Sequence, residues 1–275
     1  MKYLTYAALV SSTSAIKGKC PFGFTSGTKP GAQPELAQAE DKTGVRYPSE
    51  MFKCPTAAAM KTDVDKFGNT EYEAVVASVL DQYEELTKTA TPAGQVSDEA
   101  RMAGCLLRFA GHDLMDYRKG EANGGGSDGC IDFSTGDNAG LENCLNSAKM
   151  PKAYAKHCDK VSLADFTVIA AEAVMGRTST TYDSKNPFSE TSLLHTFREN
   201  FLAGRETANT CPWSVDRMPD AELGVVAMKE VFYDHVFAAS KDGWRLTSAL
   251  IGAHTLGGAS LENSGYDGAW SDVAD

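Results

Sequence analysis

Arg108 and His112 stand four residues apart in the run Leu106-Leu107-Arg108-Phe109-Ala110-Gly111-His112-Asp113. On a helix that spacing puts both side chains on one face. A guanidinium keeps its charge at any physiological pH, whereas an imidazole gains and loses a proton near neutrality. Such a pair can move a proton at a bound ligand and hold the negative charge that the transfer creates. A second imidazole, His254, lies in Gly252-Ala253-His254-Thr255-Leu256-Gly257, and Trp270 follows sixteen residues after it. An isolated imidazole near the end of an apolar helix can ligate a metal through one ring nitrogen. Taken singly, a histidine in an apolar helix is more often a packed core residue. His157, His195 and His235 have no supporting neighbours and read as structural or surface residues.

The elements that carry these residues read as helices. Val75, Val76, Val79, Leu80 and Tyr83 recur at helical spacing within Glu71 to Thr87. A second helix runs from about Ser97 to Tyr117, with Ser97 as its N-cap and Glu99 in its first turn. A glycine-rich loop spans Gly120 to Asp137, followed by short helices near 139–148 and 151–157. Ser162 caps a helix reaching about Met175. The stretch 177–219 is irregular apart from a helical pattern at about 190–202, and Asp220–Ala239 and Arg245–Leu256 are the last helices. Strand signals are sparse and no repeat is present, so the fold class is mainly α.

The chain is long enough for one large domain or two small lobes, and its net charge of −11 argues against a nucleic-acid partner. No apolar run is long enough to cross a bilayer as a helix. Lys2, the apolar stretch Leu4–Val10 and the small residues Ser11–Ala15 read as a signal peptide over residues 1–15, cut after Ala15; the alternative is an ordinary N-terminal element. A leader implies the secretory or endomembrane route, ending outside the cell or in an organelle lumen. Residues 16–70 read as an extended N-terminal arm with a short helix near Ala57. All seven cysteines (Cys20, Cys54, Cys105, Cys130, Cys144, Cys158 and Cys211) follow the expected cleavage point. An odd count leaves at least one unpaired within the chain. Cys20, Cys54 and Cys211 precede prolines in irregular stretches and are the better disulfide candidates, whereas Cys105, inside an apolar helix, reads as a buried thiol. Connectivity stays open.

These residues resemble the plant, fungal and bacterial haem peroxidase superfamily, with the nearest likeness to its ascorbate peroxidase and cytochrome c peroxidase branch. The likeness is a series of segments in the family's order. Leu106 to Asp113 resembles the distal helix, Gly124-Gly125-Gly126-Ser127-Asp128-Gly129 the glycine-rich segment, and Asn138-Ala139-Gly140-Leu141 the Asn-x-Gly-Leu run. Val161-Ser162-Leu163-Ala164-Asp165 is similar to the Val-Ser-x-Ala-Asp helix start, and Phe201 to Arg205 to the Phe-x-x-Gly-Arg turn. Ser264 to Trp270 resembles the run that carries the proximal tryptophan.

The resemblance implies a two-lobed, mainly α fold over 71–275, with haem b between a distal lobe (about 71–160) and a proximal lobe (about 161–275). It implies reduction of hydrogen peroxide by an unidentified one-electron donor, in the setting of an oxidative stress response. His112 would shuttle the proton, with Asn138 on its other ring nitrogen. Arg108 would stabilise the leaving oxygen, and His254 would ligate the iron. Trp270 would pack beside that ligand or serve as a radical site; the resemblance allows either. Asp128 resembles a distal calcium ligand, joined by Asp113 and the Gly126 carbonyl, although Cys130 stands where the family has a serine ligand. The alternative is a turn-forming aspartate. Thr255 resembles a proximal ligand for calcium or potassium, most of whose companions are absent.

Four departures bear on activity. Gly111 occupies the position where the family has an aromatic wall of the peroxide pocket. The loop from Asp128 to Asn138 is about four residues shorter than the family's and lacks the glutamate that supports the asparagine, which predicts a misplaced support for Asn138. Asn263 replaces an arginine that ascorbate peroxidases use for ascorbate. The C-terminal helices, with the aspartate that hydrogen-bonds the proximal histidine, have no counterpart here, which predicts a protein partner covering the proximal lobe. A peroxidase-like subunit or binding module of a larger assembly, weak or inactive in catalysis, is therefore the competing reading, and a fragment of a longer enzyme is a third.

Overall fold

The computed structural model describes residues 47–86, 96–121, 125–183, 197–211, 217–220, 223–264 and 267–269. Residues from Gly44 onward form one compact unit. The expected leader, Cys20, Gly124, His195 and Trp270 lie outside the described residues. Within them the chain is mainly helical, and no helix is long and apolar enough to cross a membrane.

The first short helix, α1, is Pro48–Met51, not the short helix expected near Ala57. Proline's fixed φ suits the first helical position, where its missing N–H costs nothing. The Ala57 region instead runs alongside a later part of the chain: Cys54 is bonded to Cys158, and the Ala59 N–H donates to the Cys158 carbonyl (2.7 Å). Helix α2, Asn69–Leu86, opens with Glu71 accepting from the Gly68 N–H (3.0 Å). Its Tyr72, Val75, Val76, Val79 and Tyr83 are buried, one stripe at helical spacing.

Helix α3, Asp98–Met115, starts where Ser97 accepts from the Ala100 N–H (3.2 Å). Its Ala103, Leu106 and Phe109 are buried against α6 (Leu163–Asp183), which contributes Phe166 and Ile169. Each such large side chain removed from water contributes roughly 1.5–3 kcal/mol. Between them lie α4 (Leu141–Ser147) and α5 (Met150–Tyr154).

Two sequence segments meet at the start of α6. Ser162 Oγ accepts from the Asp165 N–H (3.2 Å), and the fully buried Asp165 carboxylate accepts from the Gly204 N–H (2.7 Å) and Arg205 Nη1 (2.8 Å). The Val-Ser-x-Ala-Asp and Phe-x-x-Gly-Arg runs thus form one polar joint.

Three disulfides cross-link the described residues: Cys54–Cys158, Cys105–Cys144 and Cys130–Cys211. Cys105 is therefore not the buried thiol expected from its apolar helix. Cys144 lies on α4, which packs on α3, and the two Cα atoms stand 6.1 Å apart, within bridging reach.

The C-terminal elements are shorter and less regular than the apolar pattern predicts. Val225–Met228 is α-helical and widens into a π-helical segment, Lys229–Val236. Its last turn closes with the Phe237 N–H on the Phe232 carbonyl five residues back (2.7 Å). Left-handed φ values at Ala238 (55°) and Ala239 (53°) end it. The helix Gly243–Ile251 tightens into a 3₁₀ turn, Gly252–Thr255. Beyond it, β1 (Gly258–Ala259) pairs antiparallel with β2 (Gly268–Ala269).

Candidate functional site

One face of α3 is left out of the core. Gly104, Leu107, Arg108, Gly111, His112 and Met115 recur along it and are all half-buried. The opposite face carries the buried Ala103, Leu106 and Phe109. Helical periodicity therefore brings the cation and the imidazole to the one stripe that packing leaves open.

The segment before α4 holds both side chains. Arg108 donates from Nη1 to the Ala139 carbonyl (2.8 Å) and from Nη2 to the Asp137 carbonyl (2.7 Å). Asn138, buried between those two residues, has its Oδ1 2.8 Å from His112 Nδ1. Its Nδ2 donates to the Asp132 carbonyl (2.8 Å) and to Thr135 Oγ1 (3.0 Å). With the amide NH₂ so engaged, Oδ1 accepts, Nδ1 of His112 carries the proton, and Nε2 keeps its lone pair. The short loop was expected to leave Asn138 badly supported. It instead supplies the two acceptors from within itself, and Asp132 and Thr135 are the residues that sequence reading missed. A residue spacing of three between Thr135 and Asn138 was the available signal.

Charge on His112 is disfavoured. Burial, then the Arg108 guanidinium, lower its pKa to about 4, against a smaller opposing pull from Asn138. His254 adds a further, smaller lowering influence, and its turn packs against α3. Burial likewise lowers the Arg108 pKa, from a value so high that the side chain stays charged.

His254 sits on the exposed 3₁₀ turn, its Nδ1 3.2 Å from the Ile251 carbonyl. A carbonyl only accepts, so Nδ1 carries the proton and Nε2 offers a lone pair. Two close contacts hold this region beside α3 and its partner loop. Gly104 and Gly257 approach so closely that a Cβ on Gly104 would stand 2.9 Å from Gly257 Cα. The Asn263 side chain packs against the Cα of Gly140, two residues after Asn138. Gly111 is different: among the described residues, a Cβ there would meet nothing nearer than Met115 Cε at 3.8 Å.

Asp113, the residue after His112, faces away into the protein. Its carboxylate accepts from the Gly129 N–H (2.9 Å) and the Cys130 N–H (3.0 Å), and Asp128 Oδ1 also accepts from Cys130 (3.0 Å). Asp116 holds the Gly126 N–H (2.5 Å). Burial, then the charge of Asp128, push Asp113 well above the usual carboxylate range. Burial raises Asp128 to about 6 and Asp116 to about 7. These carboxylates fasten the glycine-rich loop to α3, and Cys130 is committed to its disulfide. No group of three or more His, Cys, Asp or Glu able to hold a metal occurs among the described residues. Thr255 donates its hydroxyl to the Gly252 carbonyl (3.0 Å) within its own turn.

Comparison with known proteins bears on what this arrangement is. No family model matches the chain. L-ascorbate peroxidase 3 of Arabidopsis thaliana is 31% identical over 195 residues, covering 68% of this chain and 58% of the relative. "Probable L-ascorbate peroxidase 4, peroxisomal" of Oryza sativa subsp. japonica is 32% identical over 180 residues, covering 61% and 51%. The chain belongs to the haem peroxidase superfamily. A protein of Pyricularia oryzae whose name includes the words "heme-binding peroxidase" is 27% identical over 180 residues, covering 63% of this chain and 52% of that one. This haem peroxidase homologue thus spans about half the length of the curated relatives it matches. Two imidazoles, with a guanidinium anchored beside one of them, are a donor set of the kind a haem takes. His157, by contrast, is bonded to Ser78 through Nε2 (2.7 Å), a structural role.

Proposed function

We propose that this haem peroxidase homologue is a haem-dependent peroxidase that reduces hydrogen peroxide with a one-electron donor. The observation that carries the reading is the His112–Asn138 contact on the same α3 face as Arg108, with the turn that bears His254 packed against that helix. Haem b, held through His254 Nε2, would supply a Lewis-acidic, redox-active iron. His112 Nε2 takes a proton from hydrogen peroxide and returns it to the departing oxygen, which leaves as water. Asn138 keeps that nitrogen free by fixing the proton on Nδ1. Arg108, anchored by two carbonyls, meets the developing negative charge without moving to do so. Overall, hydrogen peroxide, two protons and two electrons from the donor give two waters. The disulfides support a route through an oxidising compartment.

The test is direct. The purified chain is loaded with haem, its Soret band recorded, and hydrogen peroxide added with a generic donor dye. A Soret band and dye oxidation that is lost in His112→Leu support the proposal. Absence of a Soret band removes it, and haem without turnover favours a binding module.

A further inference from the structure

Two glycines on α3, Gly104 and Gly111, lie seven residues apart and so point along nearly the same line from the helix axis. A glycine inside a helix costs roughly 0.5–1 kcal/mol relative to alanine, so each calls for a reason. The reason at Gly104 is the Gly257 backbone, which a Cβ would meet at 2.9 Å. At Gly111 the described residues offer none. Among them, a Cβ there meets Met115 Cε at 3.8 Å, an ordinary contact with the end of a flexible side chain. The vacant position is next to His112 in sequence and one turn from Arg108. Leu107 and Met115, one turn before and after it, are apolar and half-buried. Among the described residues, an apolar opening thus adjoins His112.

We infer that Gly111 makes room for the body of the substrate, and that the site takes organic hydroperoxides, ROOH, with R an apolar group lodged over Gly111 between Leu107 and Met115. The inference rests on the peroxidase reading above. The step balances in the same way: the O–O bond of ROOH breaks, two electrons come from two molecules of the one-electron donor, and two protons are consumed. The products are ROH and H₂O. The proton that His112 lifts from ROOH belongs to one of these two products. Apolar contact discriminates substrates by its presence or loss, and filling the gap removes both the contact and the room.

The probes are cumene hydroperoxide and hydrogen peroxide, with the haem-loaded full chain and the series Gly111→Ala, Gly111→Leu and Gly111→Trp. The quantity read is the ratio of kcat/KM for the two peroxides. It should fall by a few-fold in the alanine variant and by about tenfold or more in the tryptophan variant. A second readout needs no turnover. Affinity for 4-phenylimidazole relative to cyanide, from Soret titration, should fall in the same order. The alanine variant keeps the test valid if tryptophan impairs folding. A peroxide ratio and a ligand ratio that stay constant across the series overturn the inference while leaving the peroxidase reading intact. Loss of haem retention that worsens steadily with side-chain size also overturns it, because the space would then belong to the porphyrin. A wild-type chain that binds no haem, or binds it without reducing hydrogen peroxide, removes the inference together with the reading beneath it.

Discussion

Replacing either α3 glycine with alanine should move stability in opposite directions. In a helix interior, Gly→Ala stabilises by about 0.5–1 kcal/mol, partly by restricting the unfolded chain. At Gly111 nothing among the described residues opposes that gain, since the new methyl group would rest 3.8 Å from Met115 Cε. At Gly104 the new Cβ would lie 2.9 Å from Gly257 Cα and 3.1 Å from the Leu256 carbonyl oxygen. Relaxed carbon–carbon contacts need about 3.5–4.0 Å, so the two backbones must part by roughly 0.6–1 Å. Both obstacles are main chain and cannot swing aside. Overpacking of this kind costs about 1–3 kcal/mol, which outweighs the helical gain. Gly104→Ala should therefore destabilise the haem-free chain by about 1 kcal/mol, and Gly111→Ala should stabilise it by about as much. Urea unfolding of both variants, with disulfides intact and equal slopes, measures the gap of roughly 2 kcal/mol. The displacement also reaches His254, three residues before Gly257. Metal–ligand distances tolerate only about 0.2 Å, so haem should escape from Gly104→Ala at least tenfold faster to a scavenging haem protein. Equal stabilisation by both substitutions would refute the close approach of Gly104 and Gly257.

Other expectations follow from the same geometry. His112→Leu should slow peroxide cleavage by at least 10²-fold while leaving the Soret band in place; an unchanged rate would exclude His112 as the proton carrier. Because burial and Arg108 hold the His112 pKa near 4, the acid limb of the peroxide reaction should fall near pH 4. An acid limb at the ordinary histidine value of 6.5 in the native protein would contradict this, and Arg108→Leu should move the limb toward neutrality. His254→Ala should weaken haem retention, read as haem loss on gel filtration, and retention equal to the native chain would exclude it as the ligand. Asp128 and Asp116 have raised pKa values, about 6 and about 7, so they favour the folded state while protonated. That contribution is lost as pH rises through 6 and 7, because the unfolded carboxylates ionise near 3.8. The thermal midpoint should drop between about pH 4 and pH 7, and Asp128→Asn should flatten the drop; identical slopes would count against the burial of Asp128.

What could be read from the sequence depended on how local the cause was. The α3 helix was legible because Ser97 caps it and its apolar stripe repeats within a few turns, and Arg108 and His112 come to one face by the same arithmetic. Asn138 was legible through resemblance alone. Its supports were not, because they depend on where the Asp132 carbonyl points after a tight turn, which no side-chain pattern encodes. Cys105 was misread for a related reason: an apolar helical setting suits a thiol and a buried half-cystine equally, and only the packing of α4 on α3 separates them. The π-helical segment kept an apolar repeat that reads as ordinary helix, since the widening changes the backbone bonding over Lys229–Val236 and not the residue types. The Gly104–Gly257 approach joins residues far apart in the chain, and each glycine alone looks like a weak point in its element.

The two sides of the site differ in how they are fixed. On the α3 side, Arg108 is tied by two carbonyls, Asn138 by two acceptors, and the Cys105–Cys144 bond joins the helix to α4 directly after the loop they share. A disulfide enclosing that stretch lowers the entropy of the unfolded chain by the equivalent of roughly 3–4 kcal/mol at room temperature. This arrangement holds its geometry without a ligand, as electrostatic stabilisation of a charged transition state requires. His254 instead stands exposed on one 3₁₀ turn, between a nine-residue helix and a two-residue strand. A turn of that size has little packing of its own, so a ligand bound through His254 contributes its binding energy chiefly to ordering Gly252–Ala259. Haem binding should then raise amide-exchange protection in that segment far more than along α3. Equal gains on both sides would mean that the α3 face also awaits its ligand to take shape.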